Sequence, residues 1–266
     1  MTKILGILNI TSDSFSDGGR YLAPGTAIFH AQAMAQSGAD IIDIGAASSH
    51  PQAEAVAPDV EIARLASVVP ELKAKGLSLS IDTFSLPVQR WALTQDVDYL
   101  NDIHGFPDVA LYPELAKSNA KLIVMHMVQE RGVAVRTDIP SSEIFDRVIA
   151  FFDARIQALT DAGIARDRLI LDPGMGQFLG TDPENSWIIL RRLPELKARY
   201  GLPLLVSVSR KGFLRKLANR PPLEAGAASL AAELFAEAQG AEMIRTHVPG
   251  ALKDGLKVLK HIGKRY

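Results

Sequence analysis

Eight short β-branched runs alternate with eight amphipathic stretches along 266 residues, and this alternation predicts an α/β protein of the TIM or (β/α)8 barrel class. The length agrees, because such a barrel takes roughly 250 residues. The main competitor, a doubly wound sheet, usually carries a Gly-rich phosphate loop after its first strand. Neither G-x-G-x-x-G nor G-x-x-x-x-G-K-[ST] occurs anywhere in the chain. No linker-like or low-complexity segment divides the sequence, so residues 1–266 read as one domain.

The first run, residues 4–8, leads into a loop at 9–25 that is longer than a barrel requires. Helical spacing follows over 26–37 and stops at Gly38. The second strand, 41–44, precedes another long loop at 45–58, and the stretch 59–75 ends at Gly76. Both loops are rich in Ser, Asp, Gly and Pro, as active-site loops often are. Runs 77–81 and 99–100 pair with helical stretches 86–95 and 109–118. Run 122–125 precedes 142–162, where Ser141 and Ser142 stand before Glu143 as capping residues do. Run 169–171 precedes 183–200, opened by Pro183-Glu184. Run 204–208 is nearly continuous in apolar residues, as a strand buried on both faces is, and stretch 223–239 follows it. The last unit is 243–244 with 252–262, where Val258 and Leu259 read as core by default. Gly163, Gly201 and Gly240 end their helical stretches as Gly38 and Gly76 do.

Composition narrows the function. There is no cysteine, which excludes a disulfide framework, a thiolate zinc site, an iron–sulfur cluster and a cysteine nucleophile. The 29 Lys and Arg nearly cancel the 30 Asp and Glu, so no basic footprint for nucleic acid or an anionic membrane is expected. No apolar segment is long enough to span a membrane, and the first residues read as a strand, so a cytoplasmic protein is expected.

In a barrel the C-terminal ends of the strands meet at one mouth. Read in order they supply Asn9, Asp43 with Gly45, Asp82, Asn101 and Asp102, His126, Asp172, Ser209-Arg210-Lys211, and Arg245 with His247. Any one of these could be a simple turn former, but as a set they deliver hydrogen-bonding groups from nearly every strand. Asp82, Asn101 and Asp172 suit a flat ligand with an amidine- or guanidine-like edge. Arg210, Lys211, Arg245 and His247 suit phosphate. A zinc site made of His104, His126 and His247 is disfavoured, because the H-x-H and H-E-x-x-H patterns are missing. Magnesium carried by a pyrophosphate needs only one or two protein oxygens, and Asn9 could give one. Ser207 and Ser209 lack a G-x-S-x-G setting; a desolvated Lys211 acting as a Schiff base is the stronger covalent rival.

Four segments resemble the signatures of the dihydropteroate synthase family: Gly6-Ile-Leu-Asn-Ile-Thr-Ser-Asp-Ser-Phe-Ser-Asp-Gly-Gly19, Asp172-Pro-Gly-Met-Gly176, Ser209-Arg-Lys211 and Arg245-Thr-His247. They occur in order from the first strand to the last, so the resemblance covers essentially the whole chain. It implies a barrel enzyme that joins 6-hydroxymethyl-7,8-dihydropterin pyrophosphate to p-aminobenzoate with Mg²⁺, and a homodimer formed through the last helices. By the same resemblance Asp172, Asn101, Asp82 and Lys211 would hold the pterin, Ile103 and Met125 would wall it, and Arg245 would lie on its face. Asn9 would bind Mg²⁺-pyrophosphate, Arg245 and His247 the phosphates, and the segment Ser209, Arg210 and Lys211 would help seat p-aminobenzoate. Asp82, Lys211, Arg245 and His247 would carry the catalysis.

The departures from the family pattern are specific. Where the second loop commonly reads G-G-E-S-T-R-P, this chain has Gly45-Ala-Ala-Ser-Ser-His-Pro51. Ser49 keeps a hydroxyl, whereas His50 replaces a permanent bidentate cation. The sixth loop, Gly174-Met-Gly-Gln-Phe-Leu-Gly180, is longer than usual. With His104-Gly-Phe-Pro107 it resembles the sulfonamide-resistant Sul branch, although Gln177 stands where that branch has an aromatic beside the counterpart of Phe178. Two rivals stay open at this level: a methyltetrahydrofolate-type pterin-binding methyltransferase, and a non-catalytic pterin-binding protein.

Overall fold

The computed structural model describes residues 2–11, 23–48, 55–129 and 137–263. Eight parallel strands form the sheet: β1 (Lys3–Asn9), β2 (Ile41–Gly45), β3 (Leu79–Asp82), β4 (Tyr99–Asp102), β5 (Lys121–Met125), β6 (Leu169–Asp172), β7 (Leu205–Val206) and β8 (Met243–Thr246). Their spatial order is β6-β5-β4-β3-β2-β1-β8-β7, and a bridge between Leu171 and Leu204 brings the two edges together into a nearly closed barrel. The helices around it are α1 (Pro24–Ser37), α2 (Pro58–Ala66), α3 (Val69–Ala74), α4 (Leu86–Thr94), α5 (Tyr112–Lys117), α6 (Ile144–Asp161), α7 (Pro183–Arg191), α8 (Leu193–Tyr200), α9 (Gly212–Ala218), α10 (Gly226–Ala238) and α11 (Pro249–Gly263).

The barrel class and its element order match the sequence reading, and the differences have physical causes. Stretches 59–75 and 183–200 each become two helices, α2 with α3 and α7 with α8. Pro70 and Pro194 lack the N–H that a continuing helix needs, so each starts a new first turn. The short α9 was not anticipated. Helix α6 begins at Ile144 without a side-chain cap, so Ser141 and Ser142 do not serve as one. Asp182 does cap α7, accepting the Glu184 N–H at 2.9 Å. Val258 and Leu259 are exposed at 58% and 37%, which corrects their reading as core; on α11 it is Leu252 that is fully buried.

Two shells of apolar residues fill the molecule. The outward strand faces and the helices share one large core. The barrel interior holds a floor of Leu5, Ile41, Tyr99, Ile123, Ile170, Leu205 and Met243, one residue from each of seven strands. Side chains alternate along a strand, so the residue two positions beyond each floor residue also points inward, one layer higher. Those residues are Ile7, Asp43, Asn101, Met125, Asp172, Ser207 and Arg245, and β3 adds Asp82 by register with Asn101. The next layer begins with Asn9, Ile103, Met127, Ser209 and His247. The floor is apolar and the layers above it are largely polar, which is how the fold builds its mouth. Among the described residues no helix is long and apolar enough to cross a membrane.

Candidate active site

A cavity of about 270 Å³ opens at this end of the barrel, lined by Asn9, Thr11, Ser48, Asp82, Gln177, Phe178, Ser207, Ser209, Arg210, Lys211, Arg215, Arg245 and His247 among others. A larger cavity, about 800 Å³, lies at the opposite end among Lys3, Tyr99, Lys121 and Met243. The chemistry favours the smaller one, because the converging strand ends supply its polar groups.

Arg245 organises the mouth. Its Nε donates to Asp43 Oδ2 at 2.5 Å, and one terminal nitrogen donates to Asp82 Oδ2 at 2.7 Å. Burial disfavours its charge, but Asp43 and Asp82 outweigh that and hold it firmly protonated. Burial pushes the Asp82 carboxyl up to about 7 even though Arg245 pulls it down. Asp43 was on the strand-end roster without a role; the structure gives it one, as the deepest anchor of Arg245 at 0% exposure.

The pterin side of the expected site is deeper. Burial raises Asp172 to about 6, opposed by the Gly174 N–H that its Oδ1 accepts at 2.8 Å and by Lys211 and Arg245. Asn101 is buried; its Nδ2 reaches Asp43 at 3.4 Å, and its Oδ1 has no hydrogen-bond partner among the described residues. Ile103, Met125, Met127 and Phe178 form an apolar cluster with Phe84 against it. Sequence reasoning found the first two of these walls and Phe178. It missed Met127 and Phe84, although Met127 follows Met125 by the strand period.

Lys211 joins the two sides. Its Nζ lies 4.5 Å from the centre of the Phe178 ring. Burial and then Arg245 push it down to about 8, opposed by Asp172 and Asp82. Gln177 and Phe178 sit on the turn Gly176–Leu179, which α7 braces. Ser186 Oγ accepts the Gly176 N–H at 2.9 Å, and Asn185 Nδ2 donates to Leu179 O at 2.7 Å and Ile139 O at 3.2 Å. His247 is half-buried among cations: desolvation first, then Arg210, Arg245 and Lys211, hold it neutral. Arg210 lines the rim with φ +57°, its N–H held by Ser229 Oγ at 2.9 Å.

Other candidates fall outside the mouth. Asp102 faces the helices, accepting the N–H groups of His104 at 2.8 Å and Phe106 at 3.0 Å and Gln89 Nε2 at 2.9 Å, so it is a turn former. His126 is buried with Nδ1 3.2 Å from Pro173 O, and the ring of His104 packs edge-on against Phe84. Ser49 and His50 lie outside the described residues, as does most of the first long loop.

A hydrogen-bonding pocket joined to a cationic rim at the C-terminal mouth of one barrel places the chain among the barrel enzymes that hold a polar heterocycle. The family model described as pterin binding enzyme matches residues 5–247. A type-2 dihydropteroate synthase from Escherichia coli is 59% identical over 256 residues, 96% of this chain and 94% of that protein. A type-3 enzyme from the same organism is 48% identical over 99% of this chain and all of its own length. The Yersinia pestis dihydropteroate synthase, solved with a sulfonamide drug, superposes with a TM-score of 0.92 at 31% identity, covering 100% of this chain and 95% of that one. The chain belongs to the pterin-binding enzymes and, within them, to the dihydropteroate synthases, which makes it a transferase.

Proposed function

We propose that the protein condenses 6-hydroxymethyl-7,8-dihydropterin pyrophosphate with p-aminobenzoate, giving 7,8-dihydropteroate and pyrophosphate, in the cytoplasm as a step of folate synthesis. One observation carries this reading: the Arg245 guanidinium spans Asp43 and Asp82 where the acceptor side of the mouth meets its cationic rim. A pterin carries an amidine-like edge at one end and, in this substrate, pyrophosphate at the other. Related structures support the pairing, since the Xanthomonas albilineans synthase was solved with 4-aminobenzoic acid and with 7,8-dihydropteroate.

In this reading the ionised Asp172 accepts two N–H bonds from the pterin edge, and the unpartnered Asn101 Oδ1 accepts a further one. Ile103, Met125 and Phe178 exclude water from the ring. The C–O bond breaks with its electron pair leaving on pyrophosphate, where the Arg245 charge and a hydrogen bond from neutral His247 stabilise it. Asp82 stabilises the cation left at the pterin methylene, and the arylamine nitrogen attacks it. No strong base or nucleophile is required by this sequence of steps; Lys211, lowered to about 8, serves in it as a donor.

The donors present fit Mg²⁺ carried by pyrophosphate. The end of β1 offers the neutral amide oxygen of Asn9 with the Thr11 hydroxyl near it, and among the described residues no three His, Cys, Asp or Glu converge into a cage. Magnesium that keeps several waters asks for no more. When bound it would neutralise charge on the leaving group, with Asn9 as its protein ligand.

The sixth loop supports a reading of weak sulfonamide binding. Phe178 lies against Lys211 on a turn fixed by Ser186 and Asn185, so in this reading a rigid aromatic ring borders the p-aminobenzoate end of the mouth. Inhibition by sulfamethoxazole at concentrations typical of sensitive synthases would overturn it. Exposed Val258, Leu259 and Ile262 on α11 support a homodimer, which light scattering in solution tests.

The deciding experiment mixes the two substrates and measures released pyrophosphate. A methyltransferase or a non-catalytic binder releases none. Asp82→Asn and Lys211→Ala should each lower turnover by at least roughly a hundredfold, the scale of losing one preorganised electrostatic group; near-normal turnover in either would defeat the mechanism.

A further inference from the structure

Helix α9 starts directly after Lys211 and packs against the Gly176–Leu179 turn. The Phe213 ring meets Trp187 of α7 edge-on, 4.8 Å between centres, which ties the helix to the same brace as the turn. Arg215 stands one turn along α9 and donates its backbone N–H to Lys211 O at 3.2 Å. Long side chains on a helix lean back over the preceding turn. This one does so: its Nη2 lies 3.9 Å from where a Cβ on Gly212 would be. The guanidinium is thereby returned to the mouth, whose cavity Arg215 lines with Gln177, Phe178, Ser209 and Lys211.

The steps of the condensation leave this cation unused. Arg245 is held by Asp43 and Asp82, and the charge of Lys211 by Asp172 and Asp82. Arg215 differs from both. Among the described residues no carboxylate pairs with it, and its Nε is buried without a hydrogen-bond partner. A guanidinium does not give up its proton, so the group is a permanent positive charge with a donor unmet. Its complement is a planar anion with two acceptor oxygens, and a carboxylate is such an anion. The two substrates bring two kinds of anion. Pyrophosphate goes with Asn9, Arg245 and His247, which stand on β1 and after β8. The carboxylate of p-aminobenzoate lies across the ring from the reacting nitrogen, at the end bordered by the loop after β7 and the Gly176–Leu179 turn. Helix α9 continues the first of these and packs on the second.

We infer that Arg215 is a substrate-binding residue whose guanidinium takes the carboxylate of p-aminobenzoate. It thereby selects an acceptor arylamine that carries a negative charge opposite its nitrogen. Its unmet donor gains a partner when the side chain turns to the ligand. The inference rests on the proposed condensation and on the placing of p-aminobenzoate beside the sixth loop.

Pyrophosphate release measured with two acceptors tests it: p-aminobenzoate, and 4-aminobenzamide, which has the same ring and amine but no charge. Arg215→Gln should raise KM for p-aminobenzoate at least about tenfold, the loss of a charge-assisted pair, with kcat changed less than about threefold. KM for 4-aminobenzamide and for the pterin pyrophosphate should stay within about twofold. Arg215→Lys keeps the charge but loses the fork, so its KM for p-aminobenzoate should fall between those of wild type and Arg215→Gln. A KM that rises equally for both acceptors would make Arg215 structural only. A KM that rises for the pterin pyrophosphate instead would assign it to the phosphates. Either outcome, or an unchanged KM, overturns the inference. If Arg215→Gln does not fold, Arg215→Lys decides by the same comparison of acceptors. Wild-type protein that releases no pyrophosphate would bring down the functional reading itself, whereas release with KM unmoved in the variants brings down this inference alone.

Discussion

Lys211 is half-buried beside Arg245 and against the Phe178 ring, and its proton is held mainly by Asp172 and Asp82. Those carboxyls are raised by burial in turn, to about 6 and about 7. The mechanism needs both acids ionised and the lysine protonated. Activity therefore rises as pH increases through 6 to 7 and falls as pH passes about 8. The expected kcat/KM profile is a narrow bell. Lys211→Arg keeps its charge well past this range, so the alkaline limb should move up by at least about two pH units while the acid limb stays. An alkaline limb unchanged in that variant would show that another group sets it. The distinction between neighbouring residues is equally sharp at this scale. Asn101 and Asp102 look alike in sequence, but counting two from the floor residue Tyr99 turns Asn101 inward and leaves Asp102 to the helices.

At the scale of elements, α7 holds the Gly176–Leu179 turn, which in the proposed reading borders the p-aminobenzoate end of the mouth. Asn185 is fully buried and donates to two carbonyls, one in the Gly176–Leu179 turn and one at Ile139. Asn185→Leu removes the donor and leaves both carbonyls without that partner, at a cost of about 2 kcal/mol. Phe178 should then lose its fixed place over Lys211. The expected result is a raised KM for p-aminobenzoate, tighter binding of a sulfonamide, and a small change in kcat. If KM holds while stability falls, the brace is structural only. Much of this layer was legible in advance. The strand runs, the closing glycines and the polar strand ends are local patterns, and the period of two from Ile41 and Leu205 turns Asp43 and Ser207 inward. The breaks at Pro70 and Pro194 were legible as well, since each proline sits inside a stretch read as continuous. The buried carboxyl of Glu233 was not, since it lies in an alanine-rich helix that reads as ordinary packing.

For the whole molecule, the same burial that prepares the mouth makes stability depend on pH, in two opposite directions. Asp82, Asp172 and Glu233 are raised to between about 6 and about 7, so between roughly pH 4 and those values the fold holds protons that the unfolded chain has released. Their contribution to stability therefore increases as pH falls through that window. His126 opposes them. It is 3% exposed, with Nδ1 3.2 Å from Pro173 O, and burial lowers it to about 4 from an ordinary 6.5. Below pH 6.5 the unfolded chain takes a proton that the fold refuses, so this contribution is lost as pH falls from 6.5 to 4. His126→Asn keeps a donor toward Pro173 O and removes the titration. The stability gap between wild type and variant should thus shift by about 2 kcal/mol in favour of the variant when pH drops from 7.5 to 5, at 1.36 kcal/mol per pH unit below 6.5. Urea unfolding at both pH values measures it. A gap that does not move would mean that His126 takes up its proton inside the fold, and that the segment joining β5 to the Asp172-Pro173-Gly174 turn admits a charge where the structure shows it buried.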